Sequence, residues 1–146
     1  MTELESKNKK KDFNPSILVF CCNWCSYAGA DLAGVSRFQY PPNIRIIRVM
    51  CSGRIDPSFI LKAFNDDIDG VLISGCHIGD CHYISGNEYA KDRFERLYNI
   101  IIKQLGVNEK RVRLEWVSAS EGKRFAEVIT SFTKQIIELG PITKNY

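Results

Sequence analysis

The sequence predicts an α/β fold: one domain, a three-layer sandwich on a four-stranded parallel sheet in the flavodoxin-like order 2-1-3-4. Three observations predict it. Short β-branched apolar segments alternate with longer segments of helical periodicity. Two of the apolar segments are near-continuous, which suits strands buried on both faces. The 146 residues are enough for one core, and no internal repeat or Pro/Ser-rich linker divides them.

Each element has its own local reason. SILVFCC (16–22), IRIIRVMC (44–51), DGVLISGC (69–76) and VRLEWVS (112–118) are the strands. After Cys25, SYAGADLAGVSRFQ reads as a helix weakened by Gly29 and Gly34. Asp56 is placed to cap PSFILKAFND, with Pro57 at the first helical position. From Glu88 to Leu105, Phe94, Leu97, Tyr98, Ile101 and Leu105 recur at helical spacing, with Asn87 placed to cap the start and Gly106 the end. The last helix, about Glu121 to Leu139, aligns Phe125, Val128, Ile129, Phe132, Ile136 and Leu139 before Gly140-Pro141 stops it. Residues 1–13 form a polar arm expected to be disordered, and residues 14–146 form the domain.

Composition narrows the function. The first twelve residues hold four Lys, two Glu and one Asp, so the net charge of +3 leaves only +2 on the rest. That is too weak to point to nucleic acid or an anionic membrane. No secretory signal and no run of transmembrane length is visible, so the expected compartment is the reducing cytoplasm. Six cysteines there point to metal or redox chemistry rather than structural disulfides.

Their placement sharpens this. Cys21 and Cys22 end the first predicted strand, Cys51 the second and Cys76 the third; Cys25 and Cys81 lie in the loops just beyond. A parallel sheet brings those strand ends to one edge, where ligands bind. Tetrathiolate sites need four sulfurs, and the chain offers Cys22, Cys25, Cys51, Cys76 and Cys81. Cys21 is the weakest candidate, because adjacent strand residues face opposite ways, and it reads as a buried small hydrophobe. His77 and His82 read as hydrogen-bonding loop imidazoles rather than ligands. Trp24, Tyr27 and Tyr83 flank the cysteines and, with His77 and His82, are candidates for a partner contact. Arg54 and Asp80 are expected to pair locally, and Gly53, Gly75 and Gly79 to permit turns.

Other chemistry is absent from the sequence. Six positions after each cysteine stands Tyr27, Ala28, Asp31, Pro57, His82 or Asn87, so no C-x5-R phosphatase loop exists. There is no base–nucleophile pair, no G-x-G-x-x-G or P-loop fingerprint and no flavin motif. A thiolate-rich rim without substrate machinery suits an electron relay. Two rivals stay open: a zinc-stabilised scaffold or adaptor, since thiolates suit zinc as well, and a thiol–disulfide oxidoreductase using Cys22 and Cys25.

CNWCSYAGAD (22–31), RVMCSGRIDP (48–57) and GCHIGDCHYISGN (75–87) together resemble the delta subunit of methyl-viologen-reducing hydrogenase. That family supplies the iron–sulfur subunit that works with heterodisulfide reductase in methanogenic archaea. The resemblance runs from about Pro15 to Pro141; the basic N-terminal arm lies outside it. It implies a 2Fe-2S cluster and a non-catalytic electron-relay subunit of an oxidoreductase complex. Electrons would come from a hydrogenase small subunit or a formate dehydrogenase. They would pass to the flavin-containing subunit of heterodisulfide reductase, where electron bifurcation takes place. The motif cysteines match Cys22, Cys25, Cys51, Cys76 and Cys81, five residues for four ligand positions.

Overall fold

A computed structural model of the chain describes Glu3 and residues 12–142. The arm expected over residues 1–13 falls almost wholly outside them. The elements follow the predicted order: β1 (Ile17–Cys22), α1 (Ser26–Val35), β2 (Ile44–Val49), α2 (Pro57–Asn65), β3 (Gly70–Gly75), α3 (Gly86–Arg93), α4 (Asn99–Gln104), β4 (Val112–Trp116) and α5 (Gly122–Leu139). The sheet is four-stranded, all parallel, in the order β2-β1-β3-β4. The sequence predicts this order.

The two faces of the sheet sort the side chains by alternation. On one face Ile17, Val19, Cys21 and Leu72 pack against Ala30 and Ala33 of α1 and Phe125, Val128, Ile129, Phe132 and Ile136 of α5. On the other, Phe20, Val71 and Ile73 meet Ile60, Ala63 and Phe64 of α2, with Tyr98 and Ile102. The expected apolar stripe of α5 is thus the floor of the first core, and Leu139 is only partly buried at its end.

Two helical expectations are corrected. The segment predicted as one helix over 88–105 is two, joined by a wide π turn at Phe94–Tyr98. That turn keeps Phe94, Tyr98 and Ile102 on the second core. Asn87 does not cap the helix; it lies inside α3, and its side chain is used elsewhere. The capping assigned to Asp56 is present, its Oδ1 accepting from Ser58 N at 2.8 Å.

At the amino-terminal edge of the sheet, Asp69 ties both ends of the described chain. Its Oδ2 accepts from Ser16 N (2.8 Å) and its Oδ1 from Ile142 N (3.0 Å). The buried Arg111 donates to Asp69 O (2.9 Å) and Gly140 O (2.7 Å). Replacing Asp69 by Ala leaves two amide donors without their carboxylate. We expect it to cost about 1–3 kcal/mol, measured by urea denaturation followed by circular dichroism, with the thiol rim at the opposite edge unaffected in its reactivity.

Candidate metal centre

The parallel register puts the carboxyl ends of β1, β2 and β3 side by side: Cys22 pairs with Val49, and Cys21 with Ser74. β1 ends at Cys22 as expected, and the other three strands end slightly earlier than the sequence suggests. Cys76 is the first residue past β3, and Cys51 lies two beyond β2, opening a short 3-10 turn at Ser52–Arg54. Alternation then separates the adjacent pair in β1. Cys21 is fully buried in the first core, where burial pushes its thiol pKa up. Cys22 faces the rim.

There four of the sulfurs form two close pairs. Cys22 Sγ lies 3.5 Å from Cys76 Sγ, and Cys51 Sγ 3.9 Å from Cys81 Sγ. Cys25 stands beside Cys76, with Cys22, Asp80 and Cys81 nearby. The C-x2-C spacing therefore does not predict the close contact; Cys22 meets a thiol 54 positions away.

Backbone amides point at several of these sulfurs. Ser26 N, at the start of α1, donates to Cys22 Sγ (3.3 Å), and Gly53 N donates to Cys51 Sγ (3.4 Å). The amides of Asn87, Tyr83 and Gly86 face Cys81. These contacts favour the thiolate. The Cys76 thiol holds Cys22 down to about 5, and Cys76 is pushed up in return, so the pair gives up one proton readily and the second reluctantly. At the other pair, burial raises Cys51, whereas the converging amides outweigh burial at Cys81 and lower it.

Residues that sequence patterns do not single out for the purpose build this rim. Asn87 is fully buried, and its Nδ2 donates to Cys76 O (2.9 Å) and His77 O (2.8 Å), clamping the loop after β3. Arg93 Nη1 donates to Gly53 O (2.5 Å) and Ile55 O (3.0 Å), clamping the loop after β2. Gly86 is where the two loops close on each other: a Cβ there would sit 2.0 Å from Cys51 Sγ and 3.3 Å from Cys81 Sγ. Glu121 pairs with His77 Nε2 and accepts from Ser118 N at 2.9 Å, joining the loop to α5. Only the run Ser-Gly-Asn at 85–87 hints at any of this in the sequence, and it reads there as a helix start.

The flanking aromatics divide. Trp24 stacks on His82 (3.9 Å between centroids), and its Nε1 donates to Tyr83 Oη (3.2 Å); these three are exposed beside Cys25 and Cys81. Ile84 next to them is 84% exposed with φ +72°, an unusual backbone for a β-branched residue. Tyr27 is separate; it packs on the first core under the Arg48 guanidinium. Arg54 does not form the expected pair with Asp80 and instead covers the Phe59 ring.

The donor set suits metal-bound sulfur. Two thiolates on one tetrahedral metal, each about 2.3 Å from it, lie about 3.8 Å apart, which is the spacing within each pair. Among the described residues, no three Cys, His, Asp or Glu side chains gather as a single bound ion requires.

Comparison with known proteins gives a consistent result. Residues 17–140 match the family model described as methyl-viologen-reducing hydrogenase, delta subunit. The chain is 55% identical to the iron–sulfur subunit of the F420-non-reducing hydrogenase vhc of Methanococcus voltae, over 91% of this chain and 92% of that one. It is 49% identical to the iron–sulfur subunit of the F420-non-reducing hydrogenase of Archaeoglobus profundus, over 90% and 95%. It is also 49% identical, over 97% of its length, to part of a subunit of the ferredoxin:CoB-CoM heterodisulfide reductase of Methanosarcina mazei; the match spans 18% of that longer protein.

The closeness at Gly86 has a direct consequence. Gly86→Ala should displace Cys51 and cost about 1–3 kcal/mol as an overpacked site, read from urea denaturation. Gly34→Ala, with open space around it, should instead gain up to about 1 kcal/mol in helix propensity. Equal effects of the two would show that the loops do not close as described.

Proposed function

The chain belongs to the methyl-viologen-reducing hydrogenase delta-subunit family, and on that premise we propose that it carries a 2Fe-2S cluster and relays electrons within an oxidoreductase complex. The ligands come from Cys22, Cys25, Cys51, Cys76 and Cys81. The donor is a hydrogenase or a formate dehydrogenase, and the acceptor is the flavin-containing subunit of heterodisulfide reductase, in the cytoplasm, at a site of electron bifurcation. The chain is a non-catalytic relay.

The observation that carries this reading is the meeting of thiols in twos on one sheet edge. A binuclear cluster divides its four thiolates between two metals, whereas one zinc needs all four around one point. Two relatives support the assignment by name, each being the iron–sulfur subunit of a hydrogenase. The match inside a longer heterodisulfide reductase polypeptide supports that enzyme as the partner, since a segment of that relative is 49% identical to this chain.

When bound, the cluster supplies one-electron chemistry. The chain's own residues do the rest. The thiolates hold it, and the amides of Ser26 and Gly53 donate to sulfur, which steadies added negative charge. Burial of Cys22 and Cys76 limits water at one side. The exposed Trp24, His82 and Tyr83 group forms a face for the partner, and His77 in the same loop is held on Glu121. Among the described residues no helix is long and apolar enough to cross a membrane.

Two measurements test this. Protein purified without oxygen should contain about two iron and two acid-labile sulfides per chain and be reddish-brown; stoichiometric zinc would put the scaffold reading first. In a complex rebuilt with a Cys51→Ser chain that still assembles, hydrogen- or formate-driven reduction of the heterodisulfide should be lost. Reduction from an artificial donor acting on the reductase directly should persist. Undiminished hydrogen- or formate-driven turnover would mean that electrons bypass this chain.

A further inference from the structure

We propose that the free edge of β2 is a docking site for an extended, acidic segment of a partner protein, which adds a fifth strand to the sheet. The inference concerns a surface apart from the thiols and does not depend on the cluster reading.

The register defines what this edge offers. β1 and β2 pair without a break, from Ile17 opposite Ile44 to Cys22 opposite Val49. Ile17 N donates to Asn43 O (3.3 Å). In a parallel pair, alternate residues turn both backbone groups toward the neighbour. Arg45, Ile47 and Val49 therefore face β1, and Ile44, Ile46 and Arg48 turn their N–H and C=O groups outward. Among the described residues those outward groups have no hydrogen-bond partner. β2 is an end strand of the sheet, so an added strand meets a row of open donors and acceptors.

The opposite edge is closed. On β4, Arg124 Nε donates to Trp116 O (2.8 Å), and just before it Gln135 Nε2 donates to Lys110 O (2.6 Å). Arg124 also pairs with Glu115 at 3.2 Å. Proteins blunt their edge strands with bulges, prolines and groups laid over the edge. β2 contains no bulge and no proline. It leaves Ile47 43% exposed, and Met50, just past its end, 55% exposed.

Charge decides the occupant. Arg45 and Arg48 are both exposed, and among the described residues neither shows a carboxylate partner. Arg48 lies over the Tyr27 ring, 4.9 Å from its centroid, which holds it at the edge. A second copy fits this edge poorly. In the antiparallel register that uses the whole strand, Arg45 of each copy stands opposite Arg48 of the other, and like charges directly opposite are destabilising. A strand with carboxylates at those two places is attracted instead. Arg45 and Arg48 are three positions apart, so the carboxylates are three apart too, one on each face of the added strand. Between them, two apolar residues meet Ile46 and Ile47. The edge thus selects the pattern acidic–apolar–apolar–acidic in an extended segment.

The test uses the whole chain, purified without oxygen, and two capped octapeptides, TVEVIEVT and its charge-reversed form TVKVIKVT. Hydrogen–deuterium exchange resolved to single residues by mass spectrometry reads the edge, and calorimetric titration reads the affinity. In the free chain the amides of Ile46 and Arg48 should exchange fast, and those of Ile47 and Val49 slowly. TVEVIEVT should slow Ile46 and Arg48, and TVKVIKVT should bind about tenfold more weakly. In a chain carrying both Arg45→Glu and Arg48→Glu the preference should reverse. Arg45→Gln with Arg48→Gln, which keeps the bulk of both side chains, should erase it and serves if the reversed chain does not fold. No slowing of Ile46 and Arg48 by TVEVIEVT would overturn the docking site. Equal affinity for the two peptides would overturn the acidic preference. A free chain that is dimeric by light scattering, with these two amides already protected, would give the edge to a second copy and defeat the proposal.

Discussion

The parallel hydrogen-bonded register of β1 with β2 and β3 is the constraint on which the rest of the rim depends. Parallel strands send all their carboxyl ends the same way, and crossover helices must leave from that edge. Loops at that edge start close together whatever their sequence. Three such starts bring Cys22, Cys51 and Cys76 near one another without any attraction between thiols. The cost of collecting sulfurs that repel once ionised is carried by the sheet, whose core is formed by Phe125, Phe132, Leu72 and their neighbours.

What the sheet leaves undone is finished by short polar clamps. Asn87 and Arg93 both spend their side chains on loop carbonyls, so loop backbone that would otherwise be poorly satisfied is tied to α3. Because α3 starts at Gly86, its first amides arrive against Cys81 and its first carbon leaves Cys51 undisturbed. One helix start therefore supplies hydrogen bonds to one loop and clearance to the other. His77 and Glu121 repeat the pattern on the far side, fixing the same loop to α5.

The features legible in the sequence were those with a local period. The alternation in SILVFCC separates Cys21 from Cys22, and the stripe from Phe125 to Ile136 gives α5 its buried face. The strand order 2-1-3-4 was expected from the flavodoxin-like class, since the apolar runs mark the strands but do not order them. The features not legible join residues far apart in the chain. C-x2-C suggests that Cys22 belongs with Cys25, but a neighbouring strand delivers Cys76 instead. Asn87 reads as a cap because its type favours one, and its burial under two carbonyls depends on where the β3 loop turns. Tyr27 sits near Trp24 in sequence, yet a helix beginning at Ser26 rotates it onto the first core and away from the exposed aromatics. The π turn at Phe94–Tyr98 likewise answers to packing on Tyr98, which no periodicity records.

Asp69 has an implication for how this domain is used in different chains. One carboxylate holds the amides of Ser16 and Ile142, so the polypeptide enters and leaves at nearly the same spot, across the full sheet from the thiols. Such a domain plugs into a longer polypeptide like a lamp into a socket, with its wiring at the base and its working end free. Joining it to other sequence at that base does not require the thiol edge to move. The same fold can thus serve as a separable subunit or as a segment of a larger protein, and both forms occur among its relatives.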